Sequence, residues 1–276
     1  MLSTLFKKRL VVAAMLLGIS ATALVAGAEE RTRAPTIVLV HGAFADASSW
    51  NGIVPKLLAQ GYSVIAVANP LRGLASDSAY VSGVVKTIAG PVVLVGHSYG
   101  GAVISNAAAG NDNVKALVFV AGFAPDVGES AFGLNGKFPG STLGPALEST
   151  PLASGGNDLY VKQSEFRAPF AADLPVERVR IMAATQRPIT DIAGNEPATE
   201  AAWKTVPSWF IYGSADRAIP PALQVFMSTR AHGRRVQVVP GASHVVMVSH
   251  SAEVARLVIE ATQATTTSQV ARNPGS

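Results

Sequence analysis

Along this chain, short and wholly apolar runs alternate with stretches in which apolar residues recur every three or four positions. The runs are Thr36 to His41 (TIVLVH), Tyr62 to Ala68 (YSVIAVA), Pro91 to Gly96 (PVVLVG), Val114 to Ala121 (VKALVFVA), Val206 to Tyr212 (VPSWFIY) and Val236 to Val239. Rich in Val and Ile and bounded by Gly or Pro, they predict strands covered on both faces. Trp50, Ile53, Val54, Leu57 and Leu58 take helical spacing, as do Ala222, Val225 and Phe226, then Val254, Leu257 and Val258. A further helical pattern spans Ala102 to Ala109. Strand and helix in alternation predict an α/β fold, a mostly parallel sheet with helices on both faces. Between about 125 and 203 the alternation stops, Gly and Pro become frequent and apolar patches are short. This segment reads as a cap-like insertion of short helices and loops, with one helix over Val179 to Ala184, and not as a second independent domain. From about 264 to 276 the chain is mostly small and polar and predicts a flexible tail.

The N-terminus follows a different pattern. Lys7, Lys8 and Arg9 precede an almost purely apolar stretch from Leu10 to Val25, and Ala26-Gly27-Ala28 closes it before Glu29. A charged region, an apolar region and a small-residue A-x-A step predict a signal peptide over 1–28, cleaved after Ala28. The remaining domain, 29–276, is then secreted or periplasmic. An uncleaved membrane anchor is the alternative, since Leu10 to Ala28 nearly reaches bilayer length. The leader holds three of the 22 basic residues and none of the 18 acidic ones, so its removal lowers the formal charge from +4 to +1. The basic balance therefore belongs largely to the leader, and a nucleic-acid partner is not expected. No other stretch approaches a membrane span, so no stable membrane association is expected after cleavage. With 49% hydrophobic and 14% charged residues the chain is not intrinsically disordered. The absence of Cys excludes a disulfide scaffold, a thiolate zinc site and a cysteine nucleophile.

The candidate chemistry centres on Gly96-His97-Ser98-Tyr99-Gly100. This G-x-S-x-G follows a strand pattern and precedes a helix pattern, the setting of a nucleophile elbow that holds a serine exposed above the sheet. A serine hydroxyl needs a base, and the chain has five His. His244 follows the last strand in the short loop Pro240-Gly241-Ala242-Ser243 and is the expected base. His41 reads as structural at the sheet edge, His97 as pointing away from the nucleophile, His232 as a turn residue and His250 as a supporting or surface residue. The third member must orient the imidazole, and in this arrangement the order is Ser, acid, His. Asp216, just after the strand Val206 to Tyr212, is the assigned acid, with Asp126 as its competitor. The oxyanion donors are expected to be the backbone N–H groups of Tyr99 and of Ala43 in the loop after the first strand. Phe44, Phe132 and Phe170 are the expected pocket walls, and Trp209 reads as sheet core. No cofactor or metal is expected, because neither Cys nor clustered His and carboxylate ligands are present.

Taken together, His41-Gly42-Ala43, Gly96-His97-Ser98-Tyr99-Gly100-Gly101, Asp216-Arg217-Ala218-Ile219-Pro220 and Gly241-Ala242-Ser243-His244 resemble the α/β-hydrolase superfamily. The resemblance is strongest to small esterases related to plant methylesterases and hydroxynitrile lyases, and covers about 35–261. It implies the α/β-hydrolase fold, a cap over the pocket near 125–200, and a serine hydrolase of carboxylic esters. The hydroxynitrile lyase branch places a Lys directly after the catalytic His; here that position is Val245, which favours hydrolysis. Ser98 in place of an Asp nucleophile argues against the dehalogenase and epoxide hydrolase branches. Small apolar esters are the expected substrates. Carbon–carbon bond hydrolysis, peracid formation, or a non-catalytic binding protein of the same fold are the alternatives.

Overall fold

In the computed structural model, which describes residues 34–272, the apolar runs become β1 (Thr36–Val40), β2 (Val64–Val67), β3 (Val92–His97) and β4 (Val114–Val120). An insertion follows with β5 (Leu147–Pro151), β6 (Asn157–Val161) and β7 (Ile189–Thr190), and the main sheet resumes with β8 (Ser208–Gly213) and β9 (Arg235–Val239). The predicted leader over 1–28 lies outside the described residues. The main sheet has the order β2-β1-β3-β4-β8-β9, and every pairing is parallel. β3 is buried along its whole length, and β1 and β4 at all but one position each. Each fully buried Val, Leu or Ile contributes roughly 1.5–3 kcal/mol, which makes this the most stabilising part of the molecule. The edge strands differ from the expectation of two covered faces. Ile65 on β2 and Val236 and Val238 on β9 are exposed, because a rim strand packs on one face only.

The order reverses at β1, with β2 on one side and β3 on the other, so a crevice opens beyond the carboxyl ends of β1 and β3. That switch point is where ligands bind in open α/β sheets. The helix Tyr99–Ala107 leaves the end of β3, and the helix Leu74–Lys86 packs against it. Periodicity did not mark Leu74–Lys86, because its buried face is Leu74, Asp77, Ser78, Val81 and Val85, a stripe broken by two polar residues. The helix Pro221–Arg230 corrects a second expectation. It buries Leu223, Gln224, Met227 and Ser228, while Val225 and Phe226 face outward. The Phe226 ring instead packs 5.4 Å from Phe138 and 4.7 Å from the Arg230 guanidinium.

The insertion carries the helices Ala131–Gly136, Arg167–Phe170, Val176–Thr185 and Asp191–Asn195, the third of which contains the predicted Val179 to Ala184. It also holds an antiparallel sheet, β5-β6-β7, where only helices and loops were expected. β5 (LESTP) is exposed at four of its five residues, so no apolar alternation marked it. Gly155 and Gly156 close the β5–β6 hairpin at φ +90° and +75°. The insertion belongs to the same compact unit as the main sheet. The last helix runs from Ser251 to Arg272, into the expected tail; residues 273–276 lie outside the described residues. Thr262 and Thr265 are compatible with this helix because their hydroxyls donate back to Val258 O and Thr262 O, both at 2.7 Å.

Candidate active site

Ser98 stands alone between β3, which ends at His97, and the helix that begins at Tyr99. Its φ of +53° and ψ of −125° are rare for a residue with a side chain and mark stored strain. The main chain fixes this conformation. Ser98 N–H donates to Val120 O at 3.3 Å, and Ser98 O accepts from Gly101 N at 2.9 Å and Phe123 N at 3.0 Å. The turn also runs hard against β1: a Cβ on Gly100 would lie 2.4 Å from Val40 O, so no larger residue fits.

His244 follows β9, and Asp216 follows β8. His244 Nδ1 lies 2.8 Å from Asp216 Oδ2, and both side chains are buried. Asp216 Oδ1 accepts from the backbone N–H groups of Ala218 and Ile219, each at 2.9 Å. Both carboxylate oxygens are thus acceptors, which assigns the proton to His244 Nδ1 and leaves Nε2 with its lone pair. His244 Nε2 is buried and has no hydrogen-bond partner among the described residues. The Ser98 hydroxyl is not bonded to it.

His97 ties the elbow to the His244 loop. Its ring, expected to point away from Ser98, is directed at the His244 loop. The ring lies 4.8 Å from the His244 ring, and Nε2 is 3.3 Å from His244 O. As the last residue of β3, His97 carries its side chain to where the loop after β9 returns over the sheet. Burial, reinforced by His244, holds its pKa well below the ordinary histidine value, so it is neutral.

Ala43 and Tyr99 have backbone N–H groups without an acceptor among the described residues, whereas the next amide, Phe44, donates to Arg187 O at 2.9 Å. Tyr99 occupies the first turn of its helix, where N–H groups lack intrahelical partners and favour negative charge. The Ala43 loop is pressed onto the elbow: a Cβ on Gly42 would lie 2.6 Å from Ser98 Cβ. His41 anchors that loop. Its Nε2 accepts Asn69 N–H at 3.0 Å, so Nδ1–H donates to Gly42 O at 2.9 Å. Burial lowers its pKa.

Of the three candidate wall residues, two reach the site. Phe170 lies 5.1 Å from the His244 ring and 5.9 Å from Phe44. Phe132 packs within the cap, its ring filling the space a Cβ on Gly194 would need. Asp126 does not meet His244. It pairs with Lys204 at the surface, and that bond holds its carboxyl below the usual range. Trp209 is buried in β8. His250 Nδ1 lies 2.9 Å from Ser249 Oγ and 3.9 Å from Asp173 Oδ2.

Two acids that bond to residues of the site, Asp173 and the buried Asp77, had no sequence signal. Asp173, from the cap, accepts the hydroxyl of Ser243, the residue before His244, although 70 positions separate them. Asp77, on the helix Leu74–Lys86, accepts the Tyr99 hydroxyl at 2.9 Å. Among the described residues no group of His, Asp and Glu is arranged to hold a metal ion.

The parallel sheet, the reversal at β1 and the strand-to-helix serine define the class of protein as an α/β hydrolase. A family model described as alpha/beta hydrolase family matches residues 37–257, and the chain belongs to that family. Methylesterase 1 of Arabidopsis thaliana is 26% identical over 222 residues, covering 72% of this chain and 84% of the relative. An alpha-hydroxynitrile lyase of the same plant is 26% identical over 234 residues, covering 77% and 91%. The crystal structure of polyneuridine aldehyde esterase superposes with a TM-score of 0.71 at 21% identity, covering 83% of this chain and 99% of that one. The esterase-type relatives support a hydrolase activity.

Proposed function

We propose that this protein is a serine carboxylesterase acting on small, uncharged, apolar esters. The observation that carries the reading is the buried His244–Asp216 pair: His244 Nε2 has no partner among the described residues, and the His244 carbonyl oxygen lies 3.3 Å from the ring of His97, the residue before the strained Ser98. In the proposed cycle, His244 Nε2 takes the Ser98 proton as Oγ attacks the ester carbonyl. The Ala43 and Tyr99 N–H groups hold the oxyanion of the tetrahedral intermediate. His244 then protonates the leaving alcohol, and a water activated by the same imidazole releases the acid from the acyl-enzyme. Asp216 keeps the proton on Nδ1 and stabilises the imidazolium. Phe44 and Phe170, buried against each other with Phe170 5.1 Å from the His244 ring, make the surroundings of the site apolar. Val245, buried directly after His244, supports ester hydrolysis over cyanohydrin cleavage, since no ammonium group stands there. The reading includes export as a chain beginning at Glu29.

Hydrolysis of p-nitrophenyl esters from acetate to decanoate by the pure protein tests this. Activity should favour the short chains, and Ser98→Ala should lower kcat by roughly 10⁶-fold, leaving only binding and oxyanion stabilisation. A fluorophosphonate should label Ser98 stoichiometrically. Full activity in Ser98→Ala, or labelling at another serine, overturns the mechanism.

A further inference from the structure

Tyr99 has a second tie that the proposed mechanism does not use. Its phenolic hydroxyl donates to Asp77 Oδ2, and Asp77 has no solvent exposure. The backbone N–H of Arg72 donates to the same carboxylate, 3.1 Å from Oδ1 and 3.2 Å from Oδ2. Burial raises the Asp77 pKa, and burial together with the Asp77 charge raises that of Tyr99, which keeps the phenol protonated as a donor. A buried carboxylate is costly even where a phenol and the backbone amides of Arg72 and Gly73 donate to it. A Phe at 99 with an apolar residue at 77 would fill the same space without it.

The outer side of this pair leads to the cap. Arg72 Nη1 lies 2.7 Å from Asp158 Oδ1 on β6, and Nη2 donates to Pro188 O at 2.9 Å. Thr190 on β7 donates from Oγ1 to Arg72 O at 2.9 Å and from N to Leu71 O at 3.1 Å. Leu71 itself has a φ of +62°, a left-handed conformation that a leucine holds only where its surroundings enforce it. One strained dipeptide, Leu71-Arg72, is thus gripped by cap strands on one side and grips Asp77 on the other.

We propose that Asp77 is a positioning residue for the oxyanion hole, holding the Tyr99 N–H in place through the phenol. Arg72 ties that support to the seating of β6 and β7, so a displaced cap slackens the oxyanion donor. The inference rests on the reading of Tyr99 N–H as that donor. A misplacement of about 1 Å at a reacting centre costs on the order of a hundredfold in rate.

The test uses Tyr99→Phe, which keeps the ring volume, and Asp77→Asn as a second variant, each checked for a cooperative melt. Both should lower kcat for p-nitrophenyl acetate by about ten- to a hundredfold with KM within about twofold. Affinity for a trifluoromethyl ketone, which forms an oxyanion adduct on the serine, should fall by a similar factor. The double variant should be no worse than the poorer single one, as expected for residues acting as a unit. Arg72→Gln keeps the backbone N–H and loses the guanidinium; its kcat should fall severalfold. Wild-type kcat and ketone affinity in Tyr99→Phe would overturn the positioning role, as would a rise in KM at constant kcat. Unchanged kcat in Arg72→Gln would overturn the link to the cap. If Ser98→Ala is dead and Tyr99→Phe is normal, the esterase reading stands and this inference falls; full activity in Ser98→Ala sinks both.

Discussion

The parallel sheet and the cap both place groups around Ser98, and they do so by different means. On the sheet side, placement is a matter of backbone. Ser98 is held by three main-chain hydrogen bonds, Gly42 and Gly100 let β1 and its loop touch the elbow, and two backbone amides pin Asp216. On the cap side, placement is a matter of side chains. Phe170 lays a ring over His244, Asp173 takes the Ser243 hydroxyl, and Asp158 takes the Arg72 guanidinium. Backbone placement tolerates almost no adjustment, whereas rotamers and ring positions can shift. Substitutions on the sheet side should therefore strike the rate hardest, and those on the cap side should act mainly on stability or substrate range, reaching the rate only through the Arg72 link.

The largest expected contrast is between the two acids. Asp216→Asn should lower kcat by about 10⁴-fold with little change in KM, because an amide cannot hold the proton on His244 Nδ1 in the same way. Asp126→Asn, at the foot of the cap, loses an exposed ion pair with Lys204 and should keep kcat within about tenfold. Steady-state kinetics on the two folded variants decide it. If Asp126→Asn is the crippled one, the acid follows β4 and the assignment is wrong.

Next come two glycines. Gly42→Ala would drive a methyl to 2.6 Å from Ser98 Cβ and 2.7 Å from His97 O, atoms that have nowhere to go. Its kcat should fall by about a hundredfold or more. Gly194→Ala runs first into the Phe132 ring, a side chain that can turn aside. It should lose about 1–3 kcal/mol of stability through overpacking, with kcat within a few-fold. A rate loss in Gly194→Ala equal to that of Gly42→Ala would erase the distinction between the two regions.

The smallest effect is in acid stability. Burial first, then His244, lowers the His97 pKa below its ordinary 6.5, and burial lowers that of His41. Below about pH 6.5 the unfolded chain binds more protons than the folded one, so stability falls as pH drops from there toward the lowered values. His97 should account for part of that loss between about pH 7.5 and 5.5, and His97→Gln should show a flatter slope in urea midpoints. The cap-side acids respond later. Lys204 lowers Asp126; burial raises Glu129, but Arg230, the Asp126 backbone N–H and Lys137 together lower it, so their contribution is present above the ordinary carboxylate range and lost only below about pH 4. An identical pH profile in wild type and His97→Gln would remove the buried histidine from the account.

The same division governs what could be read before the structure. The elbow was legible because its meaning is local: five consecutive residues, a strand before and a helix after. His244 and Asp216 were legible because both close a strand of the same sheet, and their side chains meet at 2.8 Å. The cap was legible as an insertion with one helix, but its strands were not, since β5 exposes nearly all its residues and β6 is only partly covered. Val225 and Phe226 misled because apolar spacing does not say which face is covered; Gln224 and Ser228 take the buried side instead. Asp77 and Asp173 meet their partners 22 and 70 positions away, a matter of tertiary packing that no local pattern encodes.

The backbone of Ser98 has a consequence for how this protein can be improved. A residue with a Cβ in this sparsely populated positive-φ region costs on the order of 1–3 kcal/mol, so a glycine at 98 relieves strain while removing the hydroxyl. Selection for thermal tolerance alone would drift toward that inactive chain. Directed evolution of this scaffold therefore needs a turnover screen alongside the heat challenge, because at this position durability and activity pull in opposite directions.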